Sequence, residues 1–241
     1  MRSVIVIPAR WASTRFPGKP LAPIAGVSLI RRVYERAAGS KRANAVVVAT
    51  DDARIFEHVT SFRGRCVQPE GDFATGTDRI AAALPLLETN DAPFDVVVNV
   101  QGDEPLIDIS SVDALIARLE QSPVGIATLA CPIETDEEYA ARDVVKVVID
   151  SVGNALYFSR GMIGSRETAL RHIGVYAYRR AAIERFVQLE PSTLERAESL
   201  EQLRALQNGM RIAVTRTAKP HLGVDRPEDV ARVEAELARL R

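Results

Sequence analysis

The sequence predicts an α/β fold built on a mostly parallel central sheet flanked by helices, and three observations carry that expectation. Short β-branched runs recur along the chain and stay apolar throughout, where a strand with one wet face would alternate, so they read as strands buried on both faces. Between them lie segments whose apolar residues stand three and four apart, the spacing of a helix face. The length of 241 residues suits one α/β unit around a single core. One domain over residues 1–241 is therefore expected, with residues 150–178 as an excursion from the main sheet.

In chain order, the apolar runs at 4–7, 45–49, 96–100, 126–130 and 144–149 are the clearest strands, with 173–178 as a later one. Leu29, Ile30, Val33 and Ala37 mark one helix face, and Ile80, Ala83, Leu84 and Leu87 another. The alternation is that of parallel strands joined by crossover helices. Near the C-terminus, Ser192 followed by Glu195 reads as a capping box, and Asp225 followed by Pro227 and Glu228 as a second helix start. These signals predict helices at about 193–207 and 226–240. No internal repeat or low-complexity stretch interrupts the pattern.

Hydrophobic residues make up 46% of the chain and charged residues 26%, a balance that supports a self-folding globular protein and excludes a disordered one. A formal net charge of −1 gives no overall attraction to nucleic acid or to an anionic membrane. The only two cysteines, Cys66 and Cys131, lie far apart and outside any C-x-x-C spacing, so they read as small buried hydrophobes and suggest neither disulfide nor zinc site. The first residues run directly into a short apolar strand without the length of a signal peptide, and no apolar run approaches the ~18 residues of a membrane span. A cytoplasmic location is the resulting expectation.

In open α/β sheets ligands gather beyond the carboxyl ends of the strands. The loop after the first strand, from Pro8 to Pro20, carries Arg10, Arg15, Lys19, two hydroxyls and Gly18 in one short span. It reads as a polyphosphate cradle: arginine grips phosphate oxygens bidentately, lysine supplies a point charge, and exposed backbone N–H groups complete the nest. It is not a Walker A loop, because Pro20 follows Gly18-Lys19, and no G-x-G-x-x-G follows the first strand. The loop at 99–105 places Gly102 beside Asp103, a hard oxygen ligand of the kind Mg²⁺ takes when it shares its shell with phosphates. Asp225 has two readings at this point, a second metal ligand or the N-cap of the last helix.

The chain resembles the 3-deoxy-manno-octulosonate (Kdo) cytidylyltransferase, or CMP-Kdo synthetase, family from its first strand to its last helix. The motifs that carry the resemblance are Ile7-Pro8-Ala9-Arg10, Ser13-Thr14-Arg15, Pro17-Gly18-Lys19-Pro20, Ala49-Thr50-Asp51, Thr75-Gly76-Thr77-Asp78-Arg79 and Asn99-Val100-Gln101-Gly102-Asp103-Glu104-Pro105. Val145-Lys146-Val147-Val148, Leu156-Tyr157-Phe158-Ser159-Arg160, Arg171-His172-Ile173-Gly174-Val175-Tyr176, Leu200-Glu201-Gln202-Leu203-Arg204 and Gly223-Val224-Asp225 continue it in the family's order.

The resemblance implies a Rossmann-like nucleotidyltransferase fold of glycosyltransferase-A type, CTP as donor, Kdo as acceptor, Mg²⁺ as cofactor, a homodimer, and a product used for lipopolysaccharide synthesis. Residue by residue, it implies that Pro8, Ala9, Arg10, Ser13, Arg15, Lys19, Thr77, Arg79 and Gln101 bind the nucleotide. Gln101, Arg160, His172, Tyr176, Glu201 and Gln202 would line the sugar site. Asp103 and Asp225 would hold the metal, with Lys19, Arg15 and Asp103 carrying the catalytic burden; no side chain is named as general base. The chain departs from the family at 161–170, a shorter insert with Gly164 where a proline is expected. That segment is where the resemblance implies a subunit interface and one wall of the sugar site, so ordinary CTP saturation with weak Kdo saturation or a relaxed choice among acidic sugars is the expectation. A different acidic sugar, such as an amino analogue of Kdo or a sialic acid, a sugar-1-phosphate nucleotidyltransferase, and a catalytically silent binding protein are the alternative readings.

Overall fold

The computed structural model describes residues 1–12, 15–89, 92–218 and 220–239. The chain forms two compact units, Met1–Asp113 with His221–Arg241, and Ala114–Pro220.

The first unit holds β1 (Ser3–Ala9), the small antiparallel pair β2 (Pro23–Ile24) and β3 (Val27–Ser28), then β4 (Ala45–Thr50), β5 (Cys66–Val67) and β6 (Val96–Asn99). Its sheet runs β5-β4-β1-β6 and is parallel at every pairing. Val4 to Ile7, Val47, Val48 and Val96 to Val98 are fully buried, as uninterrupted apolar runs require. The crossovers are α1 (Leu29–Ala37), α2 (Ala53–Ser61) and α3 (Gly76–Glu88), and both expected apolar stripes are buried. Asp52 caps α2 by accepting the Arg54 N–H at 3.0 Å. Thr75 and Asp78 form a reciprocal capping box that starts α3 at the sheet's carboxyl end. The chain leaves this unit within α4 (Ile109–Gln121).

The second unit contains β7 (Ile126–Pro132), α5 (Asp136–Ala140), β8 (Lys146–Ile149), β9 (Ala155–Ser159), β10 (Leu170–Arg179), α6 (Arg180–Val187), α7 (Thr193–Glu198), α8 (Gln202–Gln207) and β11 (Ile212–Arg216). Here β11 lies parallel to β7, whereas β10 is antiparallel to both β7 and β8, and β8 pairs with β9 as a hairpin. The chain then returns to the first unit as α9 (Asp229–Arg239).

Three local expectations change. The strand β9, inside the polar 150–178 excursion, has exposed Leu156 and half-buried Tyr157 and so lacks the two-sided apolar signature used to find strands. The expected helix at 193–207 is two helices, because Ser199 adopts left-handed angles (φ 52°, ψ 48°) and ends α7. Asp225 is not the N-cap of the last helix. That helix starts at Asp229, whose own carboxylate accepts the backbone N–H groups of Asp225 and Arg226, each at 2.9 Å.

Candidate functional site

The loop after β1 is shaped by its own side chains. Gly18 has φ 70°, a Cβ there would stand 3.0 Å from the Trp11 ring, and its N–H donates to the Trp11 carbonyl at 3.1 Å. The Arg54 guanidinium lies over the same indole, 3.5 Å from the Trp11 ring centroid. The closed loop delivers Lys19, on a short 3-10 turn, to the acidic turn after β6. Its Nζ donates to Asp103 Oδ2 at 2.7 Å and stands 3.7 Å from Asp225 Oδ1, while Arg15 lies 3.2 Å from Asp225 Oδ2.

Two backbone features make this convergence possible. A Cβ on Gly102 would lie 2.9 Å from the Pro8 carbonyl oxygen, so only glycine lets the β6 turn sit against the β1 turn. The Val224 N–H donates to the Asp103 carbonyl at 2.8 Å and brings the Asp225 segment alongside. The resulting cavity, about 170 Å³, is lined by Pro8, Ala9, Arg10, Arg15, Lys19, Gln101, Gly102, Asp103 and Asp225 among others. Its two carboxylates already share one cationic group, the Lys19 ammonium, and offer hard oxygen donors. Among the described residues no cluster of three or more metal-ligating side chains occurs. Two carboxylates with cations around them fit Mg²⁺, which keeps waters and substrate phosphates in its shell and needs no all-protein cage.

A second cavity of about 260 Å³ shares Pro8, Ala9, Arg10 and Gln101 with the first and adds Phe73, Ala74, Thr75, Gly76 and Arg79. Arg79 is 5% exposed; its Nη2 donates to Asp51 Oδ2 at 2.8 Å, and its Nη1 is buried without a protein partner. A buried donor without an acceptor costs on the order of 1–3 kcal/mol, so the pocket favours a ligand carrying one. The N-terminus of α3 opens here, and Gly76 permits it, since a Cβ would meet Pro8 Cγ at 3.3 Å. Of the residues expected at the nucleotide, Pro8, Ala9, Arg10, Arg15, Lys19, Arg79 and Gln101 line these two cavities. Thr77 does not: it is buried in the first turn of α3, and Thr75 and Gly76 line the cavity in its place. Ser13 lies outside the described residues.

A buried pair stands behind the two acids. His221 Nδ1 lies 3.0 Å from Glu104 Oε2, and its Nε2 accepts the Asp108 backbone N–H at 3.4 Å. Burial pushes the Glu104 carboxyl above the usual range, and the hydrogen bond from His221 opposes that rise.

The residues expected around the sugar all fall in the second unit except Gln101. Between Ile173, opposite Leu129, and Tyr176, opposite Thr128, β10 bulges outward with Gly174 and Val175. His172 faces Ala130 and Tyr176 faces Thr128, two residues apart on β7, so both project from one face with ring centroids 5.4 Å apart. The Thr128 hydroxyl donates to the Val175 carbonyl at 2.8 Å and accepts from His172 Nε2 at 2.9 Å. Burial pushes the His172 imidazole down to about 3, so it is neutral at pH 7. Burial also raises the Tyr176 phenol well above its ordinary range, with neighbouring Tyr178 and Glu201 adding to the shift.

Gln202 opens α8 with its side-chain amide nitrogen buried and unpartnered, and Glu201 precedes it. Arg160 directs its guanidinium at the carbonyls of Glu198 (2.9 Å), Ser199 (3.3 Å) and Arg142 (3.4 Å). Beneath it Lys146, fully buried, donates to the carbonyls of Ala141, Val144 and Arg160 at 2.7–2.8 Å. The short insert is a built loop: the Tyr139 hydroxyl contacts the carbonyls of Ile163 and Gly164 at 3.0 Å each. Gly164 has φ 66°, which excludes the proline expected there. Cys131 is buried as expected, whereas Cys66 is only half-buried; burial pushes the Cys66 thiol up to about 12 and the Cys131 thiol up to about 11.

Sequence reading missed Phe73, Asp51, Glu104 and His221. A signal existed for the second cavity, since Thr75 three residues before Asp78 is a capping-box spacing that places a helix start there. For His221 nothing in the neighbouring residues announces a partner 117 positions away.

Residues 4–212 match a protein family described as Cytidylyltransferase. A 3-deoxy-manno-octulosonate cytidylyltransferase of Syntrophotalea carbinolica is 48% identical over 98% of this chain and 99% of its own length. An 8-amino-3,8-dideoxy-manno-octulosonate cytidylyltransferase of Shewanella loihica is 46% identical over 99% of each. Among solved structures, a CMP:2-keto-3-deoxy-manno-octonic acid synthetase complexed with CTP superposes with a TM-score of 0.93 at 39% identity, covering 100% of both chains.

Proposed function

We propose, from the premise that the chain belongs to the cytidylyltransferase family, that it transfers CMP from CTP to the anomeric hydroxyl of 3-deoxy-manno-octulosonate and releases pyrophosphate. The observation that carries the reading is the pair of adjoining cavities at the end of β1: one framed by Arg10, Arg15, Lys19 and two acids, the other by Phe73 and a buried arginine with a donor to spare.

The anomeric oxygen forms a bond to the α-phosphorus as the bond from that phosphorus to the bridging oxygen of pyrophosphate breaks, and the hydroxyl proton passes to solvent. The work left to side chains is positioning and neutralisation of developing charge. Arg10, Arg15 and Lys19 line the cavity that would take the triphosphate, and Lys19, held by Asp103, is prepositioned to meet charge on the leaving group. Arg79 Nη1 would donate to an acceptor on the nucleoside. Asp103 and Asp225 would hold Mg²⁺, which when bound supplies Lewis-acid neutralisation of the phosphates.

In the second unit, neutral His172 and Tyr176, with Glu201 and Gln202, offer donors and acceptors suited to a polyhydroxylated sugar. With its imidazole neutral, His172 is not the counter-charge of the sugar carboxylate, and Arg160 is the only cation of the expected set. Exposed Val152, Leu156 and Met162, all within the 150–178 excursion, support homodimerisation through it. We place the reaction in the cytoplasm, where CTP is made, and its product in lipopolysaccharide synthesis. No helix among the described residues is long and apolar enough to cross a membrane.

The test is incubation with CTP, Mg²⁺ and a panel of acidic sugars, with the nucleotide-sugar identified by mass and pyrophosphate release followed in parallel. CMP-Kdo with stoichiometric pyrophosphate is expected; absence of both with every sugar overturns the reading. The Shewanella relative favours one alternative acceptor, 8-amino-3,8-dideoxy-manno-octulosonate, and a higher kcat/KM for it than for Kdo would move the assignment there.

A further inference from the structure

Asp103 and Asp225 come from segments more than a hundred residues apart, on two irregular loops, yet a two-carboxylate cation site requires a fixed separation. Three contacts fix those segments, two of them between the loops and one, the Asp229 contact, within the Asp225 segment. One is the Val224 N–H to the Asp103 carbonyl, and a second is the Asp229 carboxylate on the Asp225 N–H. The third involves side chains the chemistry leaves unused: His221, whose side chain is 3% exposed, bridges Glu104, the residue after Asp103, and the backbone of Asp108. The Asp108 N–H can only donate, so Nε2 is the acceptor and Nδ1 carries the proton given to Glu104.

From this geometry we infer that Glu104 and His221 are a positioning pair that sets the spacing of Asp103 and Asp225, and thereby the affinity of the site for a divalent cation. The inference rests on reading those two acids as the metal site. Neither member lines the cavity, so the pair acts through the backbone that leads to Asp103 and Asp225. The Glu104 bond is the operative contact, because it joins the two loops at the residue next to a ligand. The Asp108 bond instead orients the imidazole. Outer partners of metal ligands alter affinity by about 10–100-fold when removed.

The two bonds of His221 can be separated. Asparagine puts an amide donor near the Nδ1 position and keeps the Glu104 bond; glutamine reaches the Nε2 position, keeps the Asp108 bond and loses the other. Mn²⁺ binding to the full chain, followed by the loss of free-ion signal in electron paramagnetic resonance, is measured for wild type, His221→Asn, His221→Gln, Glu104→Leu, Asp103→Asn and Asp225→Asn, with melting temperatures for each. The expected result is a loss of about 10-fold or more in His221→Gln and Glu104→Leu, with His221→Asn within about 3-fold of wild type and melting at the same temperature as His221→Gln. Equal affinities for His221→Asn and His221→Gln, whether both high or both low, overturn the pair's role while leaving the metal site standing. Wild-type Mn²⁺ binding in Asp103→Asn and Asp225→Asn overturns the metal reading and the pair with it.

Discussion

Replacing His172 by glutamine should remove most of a specific acid sensitivity from the fold. In the native chain burial holds the imidazole at about 3, against an ordinary value of 6.5 in the unfolded chain. Between those values the unfolded state binds the proton and the folded state does not, so the contribution is fully present above 6.5 and is lost as pH falls toward about 3. At pH 5 the unfolded imidazole is almost entirely protonated and the folded one almost entirely neutral, which corresponds to about 2 kcal/mol lost relative to pH 7.5. Glutamine offers an amide donor near Nε2, so the bond to the Thr128 hydroxyl is kept while the titration is removed. Urea unfolding of both proteins at pH 7.5 and pH 5.0 gives four stabilities, and every other titrating group cancels in the difference of differences. Wild type should lose about 2 kcal/mol more than His172→Gln between the two conditions. An equal loss in both proteins would refute the argument, and would mean that the imidazole protonates freely in the folded state.

Asp103→Asn keeps the side chain's shape and removes its charge, and turnover with saturating CTP should fall by about 100-fold, measured by pyrophosphate release; wild-type turnover would sink the assignment. Gly102→Ala puts a Cβ 2.9 Å from a backbone carbonyl that cannot swing away, so thermal or urea melts should show a loss of about 1–3 kcal/mol, with kcat falling because Asp103 moves with the turn. Lys146→Met fills similar volume but strands three partly buried carbonyls that share one buried ammonium, and a loss of about 1–3 kcal/mol is expected in urea unfolding; a variant as stable as wild type would show that those carbonyls find other donors.

Which features were legible in the sequence follows from how local their causes are. Apolar runs such as 4–7 and 96–98 announce strands buried on both faces because each residue repeats the same message. The α/β class, the cationic loop after β1 and the Gly102-Asp103 turn follow from composition at strand ends, and the structure brings Arg15, Lys19, Asp103 and Asp225 into one cavity. The helix break at Ser199 was not legible, since serine is no left-handed signal by itself; across the break Arg204 pairs with Glu195 at 2.6 Å, a contact no local pattern announces. Asp225 followed by proline and acid looks like a helix start, but Asp229 takes the backbone donors that such a cap would satisfy. His172 and Tyr176 are four apart in sequence, and only the bulge makes them neighbours. The split into two units, likewise, depends on which long-range contacts form, and no local pattern records that.

The bulge in β10 also constrains how this strand can change length. From Ile173 to Tyr176 the strand advances three residues while β7 advances one, from Leu129 to Thr128, so the surplus is the pair Gly174 and Val175. An even surplus leaves the parity of the strand intact. Deleting both residues would place Tyr176 directly after Ile173, still opposite Thr128 and still on the face that His172 occupies. Deleting or inserting a single residue instead would send Tyr176, and with it Tyr178, to the opposite side of the sheet. Length variation here is thus quantised in steps of two, and a lone insertion or deletion in this stretch would exchange the two faces of the strand beyond it.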